Sequence, residues 1–187
     1  MPVTARPDDW SPADNPYAIA LSETQWSLWT VQLCALRIHE GGDPERQIDA
    51  RQFVAALRRI ERFAMMEQDA CRQVAPEAAH VLGQAIEVFA TAVPGARHAR
   101  DVLEHYDAYA VGKGHRQASA ASDLARQYSR FGYDPRTDQI QIGPYQINVT
   151  DAVTHARQLT AAVHTAVQAY DAASDPSRSV EGADHRD

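Results

Sequence analysis

The chain has 187 residues, with 18 Lys+Arg against 25 Asp+Glu and a formal net charge of -7. That length suits one domain with a real hydrophobic core. The acidic balance argues against broad, non-specific attraction to nucleic acid, which depends on Lys and Arg neutralising phosphates, although a local arginine patch remains open with Lys113 the lone lysine.

Residues 1–16 carry four of the 10 prolines together with Asp and Asn, a composition expected to form a disordered arm. The folded domain is expected over 17–171. Ser22 with Gln25 makes a capping-box signature for a first helix. Its Trp26, Trp29, Leu33 and Leu36 recur at three- and four-residue spacing, as core or dimer-interface positions, until Gly41-Gly42-Asp43-Pro44 stops it. From about Ile48 a second helix presents Phe53, Leu57, Ile60 and Ala64 as an apolar stripe, with Arg51, Arg58, Arg59, Glu61 and Arg62 outside it.

Pro76 suits the first turn of a third helix, whose Leu82, Ile86, Phe89 and Val93 share one face up to Pro94-Gly95. A fourth helix is expected over about 96–111, ending at Gly112-Lys113-Gly114. Residues 115–137 read as polar and irregular, with SDLARQYSRF as a possible short helix. Between Gln139 and Val149 the period changes to two, with Ile140, Ile142, Tyr145, Ile147 and Val149 flanking Gly143-Pro144, which predicts a β-hairpin with one buried face. Thr150 then caps a last helix carrying Val153, Ala156, Leu159, Val163, Val167 and Tyr170, and 172–187 read as a disordered tail. Short links between four or five such helices predict a mainly all-α fold, an up-and-down bundle with a small C-terminal hairpin before the last helix.

No stretch approaches the roughly 20 uncharged apolar residues of a membrane span, and the polar start has no apolar run, so a cytoplasmic protein without membrane contact is expected. Cys34 and Cys71 lack metal-ligand spacing and read as reduced, packed thiols. Phosphate loop, dinucleotide fingerprint, zinc-protease helix and nucleophile elbow are all absent from the sequence, and no cofactor or metal is expected.

Chemistry concentrates instead in PGARHARDVLEHYDAYAVGKGH, which packs Arg97, His98, Arg100, Asp101, Glu104, His105, Asp107 and Tyr109 into under four turns. On a helix Arg97, Asp101 and His105 form an i, i+4, i+8 ladder, so Asp101 can accept a hydrogen bond from the His105 ring and set its tautomer. Arg100 lies about 140° around the helix from His105, so a second copy of the helix would be needed to aim both at one atom. The same polar face also fits an ordinary solvated helix, with Arg97–Asp101 and Arg100–Glu104 pairs at i+4.

The run Arg100-Asp101-Val-Leu-Glu-His105 resembles the Rx4-6H motif of HEPN domains. Arg157 with His164 and Arg178 with His185 match the spacing too, but in a less polar neighbourhood and in the expected tail. The resemblance implies a small helical domain that dimerises so that two motif helices line one cleft, and a metal-independent ribonuclease acting as a toxin or phage-defence effector. In that role His105 would be general acid/base, Arg100 would stabilise phosphoryl charge and Asp101 would be the polar motif residue. Arg97, Tyr109, Arg58 and Arg62 are the candidates for RNA contact. RNA, a second copy of the chain and a cognate antitoxin are the partners implied. The competing expectation is a non-catalytic helical dimer that binds a protein or nucleotide, using the hairpin and the Trp-bearing helix.

Overall fold

The computed structural model describes residues 15–97 and 130–174, which form four helices and a three-stranded sheet. Helix α1 spans Pro16–Glu40, α2 Glu45–Val74 and α3 Pro76–Ala92; strands β1 Phe131–Asp134, β2 Gln139–Ile142 and β3 Tyr145–Asn148 follow, and α4 spans Val149–Ser174. The links at 41–44 and at Ala75 are too short for anything but reversal, so α1, α2 and α3 run antiparallel to their sequence neighbours. Across the bundle, Tyr17 near the start of α1 stacks on Tyr170 near the end of α4 at 4.7 Å between ring centroids. The mainly helical bundle with a small β element before the last helix is the architecture the sequence pattern predicts.

Helix α1 departs from expectation in two ways. Pro16 occupies its first turn, where a missing N–H and a preset φ cost nothing, so the helix starts six residues before Ser22. Ser22 lies inside it and donates to the Ile19 carbonyl at 3.1 Å, so it caps nothing. The side of α1 that enters the core is lined by Ala20, Thr24, Ser27, Leu28, Val31, Cys34, Ala35 and Ile38. Trp26, Trp29, Leu33 and Leu36, read as core or dimer-interface positions, face outward at 63%, 50%, 53% and 51% exposure, so they are not part of the core.

The stripes of the other helices fall where periodicity puts them. Phe53, Leu57, Ile60 and Ala64 of α2 meet Leu82, Ile86 and Phe89 of α3 and Ala156, Leu159 and Val163 of α4 in one continuous core. The expected hairpin is present as β2 and β3, with Ile142 opposite Tyr145 and Gly143 at positive φ in the two-residue loop.

Residues 131–134, expected to be irregular, form β1 and pair antiparallel with β2. Tyr133, Ile140 and Ile147 make a cross-strand row, buried against the helices, which is what a small sheet needs to hold in water. The free edge of β1 is covered by a side chain: Gln47 of α2 accepts from the Tyr133 N–H at 2.9 Å and donates to its carbonyl at 3.3 Å, as a neighbouring strand would. Arg51, from the same helix, lies over the Phe131 ring at 5.1 Å.

Asp138 ties sheet and helices together. It sits at φ 53°, a left-handed conformation Asp tolerates, in the β1–β2 loop. Its carboxylate accepts from Thr150 N–H at 3.1 Å, Thr150 Oγ1 at 2.7 Å, Tyr133 Oη at 3.1 Å and His39 Nε2 at 2.8 Å. The start of α4 is therefore capped by Asp138, and by Asn148 accepting from Asp151 N–H at 2.9 Å, where Thr150 was expected to serve. Burial pushes the Asp138 carboxyl up, but its donors outweigh that and hold it below the usual carboxylate range.

Helix α4 continues to Ser174, so 172–174, expected in the tail, are helical. Cys34 and Cys71 are free and buried, as packed thiols. Burial, with the nearby carboxylates of Asp49 and Glu67 respectively, raises Cys34 to about 11 and Cys71 to about 12. Among the described residues no helix is long and apolar enough to cross a membrane.

Candidate functional site

Of the seven candidate site residues, Arg58, Arg62 and Arg97 lie within the described structure; Arg100, Asp101, His105 and Tyr109 lie outside it, as do nearly all of the expected fourth helix and nearly all of SDLARQYSRF. Arg58 and Arg62 stand on α2, and Arg97, beyond α3, joins them through Glu61 of α2. Arg58 and Arg62, one turn apart, line a groove with Phe63, Met65, Met66 and Asp69 and with Pro16 of α1.

Glu61, placed by periodicity on the solvated side, is in fact buried at 1% exposure and organises this region. Its Oε2 accepts from Arg58 Nη1 at 2.7 Å, and its Oε1 accepts from Arg97 Nε across a sequence gap of 36 residues. One buried carboxylate thus holds two guanidinium groups, whose side chains are 24% and 49% exposed. A buried carboxylate needs such partners to offset its lost hydration, and two arginines over-compensate it by one positive charge. Together with Arg62 the result is a surface that is locally cationic in an acidic protein.

The chain reaches Arg97 through a tight corner. Pro94-Gly95 ends α3, and Gly95 adopts φ 88°, a conformation that favours glycine. A Cβ there would also overlap the Tyr145 side chain of β3. Sheet and bundle together therefore set the direction in which residues 96 and 97 leave α3, and this direction lets Arg97 reach Glu61.

Two further side chains carry a buried polar atom without a hydrogen-bond partner. Glu67, fully buried on α2, accepts from Cys71 Sγ at 3.4 Å through Oε1, while Oε2 has no hydrogen-bond partner. Burial pushes its carboxyl up; the thiol bond lowers it, and the charge of Asp171 raises it again. His155 of α4 has an unpartnered buried Nδ1 beside a small cavity lined by Ala85, Val88, Phe89, Gln158 and Leu159. Neither side chain is among those that line the arginine groove. Among the described residues no set of three His, Cys, Asp or Glu side chains is arranged to hold a metal ion.

Glu61 was findable. It sits with Ala50, Val54, Leu57 and Ala64 at three- and four-residue spacing, so a carboxylate on that stripe with arginines on either side signals a buried ion pair. Comparison with protein-family models, curated proteins and solved structures returned no match, so the functional reading stands on the residues themselves.

Proposed function

We propose that this chain is a HEPN-like, metal-independent endoribonuclease of the cytoplasm, a toxin or phage-defence effector that cleaves RNA in a dimeric Arg/His cleft and is restrained by a cognate antitoxin. The observation that carries the reading is the anchoring of Arg97 on Glu61 beside Arg58 and Arg62, because the motif Arg100-Asp101-Val-Leu-Glu-His105 begins three residues further on. An RNA strand lying in the groove would have its phosphates held by Arg62 and Arg58, and one that continues past Glu61 would reach Arg97.

In the reaction, a ribose 2′-oxygen forms the new bond to phosphorus, and the 5′-oxygen leaves with a proton. His105 acts as general acid/base, and Arg100 offsets charge on the phosphoryl oxygens. The product carries a cyclic phosphate end.

The test is cleavage of total RNA and of tRNA by the purified full-length protein in EDTA, with product ends mapped. Wild type is expected to generate cyclic phosphate ends, and His105→Ala to lose at least about 100-fold in rate with its circular dichroism unchanged. Cleavage by neither protein at high concentration would sink the proposal. It would favour the second reading, a non-catalytic helical module, for which the exposed apolar face of α1 is the motivating observation.

A further inference from the structure

We infer that the outward face of α1 is a self-association seam, on which a second copy of this chain docks antiparallel about a two-fold axis. The inference stands on α1 alone and does not depend on the nuclease reading.

Trp26, Trp29, Leu33 and Leu36 are each at least half exposed and follow a 3-4-3 spacing, the a/d pattern of a two-helix seam. They lie on the side of α1 opposite its buried Leu28, Val31, Cys34, Ala35 and Ile38, and among the described residues no element of the bundle covers them. The two indoles already pack edge to face, with ring centroids 4.9 Å apart and planes at 87°. Such a preformed aromatic pair loses little freedom when a partner covers it, and aromatic side chains of this kind dominate interface energetics.

Orientation follows from complementarity. Run antiparallel about an axis beside Val31, Trp26 of one copy meets Leu36 of the other and Trp29 meets Leu33, so every large ring faces a smaller aliphatic side chain. The flanking positions then place Glu23 opposite Arg37 of the second copy, twice by symmetry, with Thr30 and Gln32 beside the axis. A parallel pairing would oppose Trp with Trp and match no opposite charges.

Within its own chain Arg37 has Nε 3.1 Å from Asp49 Oδ2, an ion pair short of hydrogen-bond geometry, and the arginine side chain is still 57% exposed. Covering the four apolar side chains on both copies removes on the order of 1,000 Å² from water, the threshold for a specific but dissociable interface.

The experiment is sedimentation velocity of the full chain over a wide concentration range, from about 1 to 100 μM. Wild type is expected to move from monomer to dimer across that range. Trp29→Glu, at an exposed position that should not disturb folding, is expected to raise the dimer Kd about thirtyfold or more. Glu23→Arg is expected to weaken the dimer about three- to tenfold at low salt, with the difference vanishing in 1 M NaCl.

Mixing the Glu23→Arg protein with an Arg37→Glu protein restores two opposite-charge pairs, so the mixture should associate better than either alone. A wild type that stays monomeric at 100 μM overturns the inference. A dimer indifferent to Trp29→Glu overturns it as well. Dimerisation weakened by Trp29→Glu without rescue on mixing overturns the antiparallel register.

Discussion

Glu61 and Glu67 stand six residues apart on α2, both sealed from solvent, and they meet opposite fates. Glu61 is paired by two arginines, one of them brought in from beyond α3. Glu67 has only a thiol as donor, one oxygen without a partner, and a carboxyl pushed above its ordinary value of 4.5 by burial. Burial is common to both; the difference is the supply of donors. Where donors were brought in, the buried acid became an anchor that positions cationic groups at the surface. Where they were not, it became a cost that the rest of the core carries.

The contrast breaks most visibly if the anchor is removed. Glu61→Ala leaves Arg58 and Arg97 facing the space of a missing carboxylate. Because both guanidinium groups keep access to water, the cost is set at roughly 1–3 kcal/mol and not at the larger figure of a fully enclosed pair. Thermal denaturation should show a fall of several degrees, about 2–4 °C per kcal/mol at this size. If RNA binds on the groove, the variant should also bind it differently, because Arg97 loses its fixed position. No change in melting temperature would mean that the Glu61 cluster is not an anchor.

Asp138 sharpens the comparison from the other side, as a half-buried acid with four donors. Asp138→Ala removes a helix cap and the tie between α1, β1 and α4, at about 1 to 2 kcal/mol at neutral pH. The folded carboxyl lies below its ordinary value of 3.8. Its contribution is therefore complete above that value and disappears as pH falls through the lower, folded-state value. The gap between wild type and variant in urea denaturation should close in strong acid. A gap independent of pH would assign the loss to backbone strain at φ 53° and not to the carboxylate.

How much of this was legible in the sequence depended on how strongly a position declares itself. The stripes of α2, α3 and α4 consist mostly of Leu, Ile, Phe and Val at helical spacing, and the structure buries them, with Val153 and Tyr170 of α4 only partly covered. Helix α1 misled because its bundle side is built from Ala, Thr, Ser and Cys among fewer large residues, while both of its tryptophans and two leucines form an equally regular stripe on the outside. Periodicity reports that a face is apolar, and says nothing of which neighbour covers it.

Strand β1 was missed because four residues including Gly132 are too short to display a period of two. It depends on a non-local partner, the Gln47 amide, that no local pattern reveals. In the candidate site the arginines were visible as charge, whereas their organiser Glu61 showed only through its place on the apolar stripe and was passed over, since a glutamate is assigned to solvent by default. Glu67 was overlooked for the same reason, although it shares the Ile60, Ala64 and Cys71 stripe.

The smallest effect is the most discriminating, because it runs against the usual direction of a core mutation. The raised Glu67 carboxyl means that the folded chain holds that proton more tightly than the unfolded chain does. Stability is therefore complete below the ordinary value of 4.5 and declines as pH rises through the higher, folded-state value. Glu67→Gln preserves the shape and stays neutral, so it should match wild type near pH 4 and become the more stable protein as pH rises toward 8. Urea denaturation of both proteins across that range checks it. If the variant is instead less stable at every pH, the Glu67 carboxylate has a partner that offsets its burial, and the distinction between the two glutamates on α2 falls.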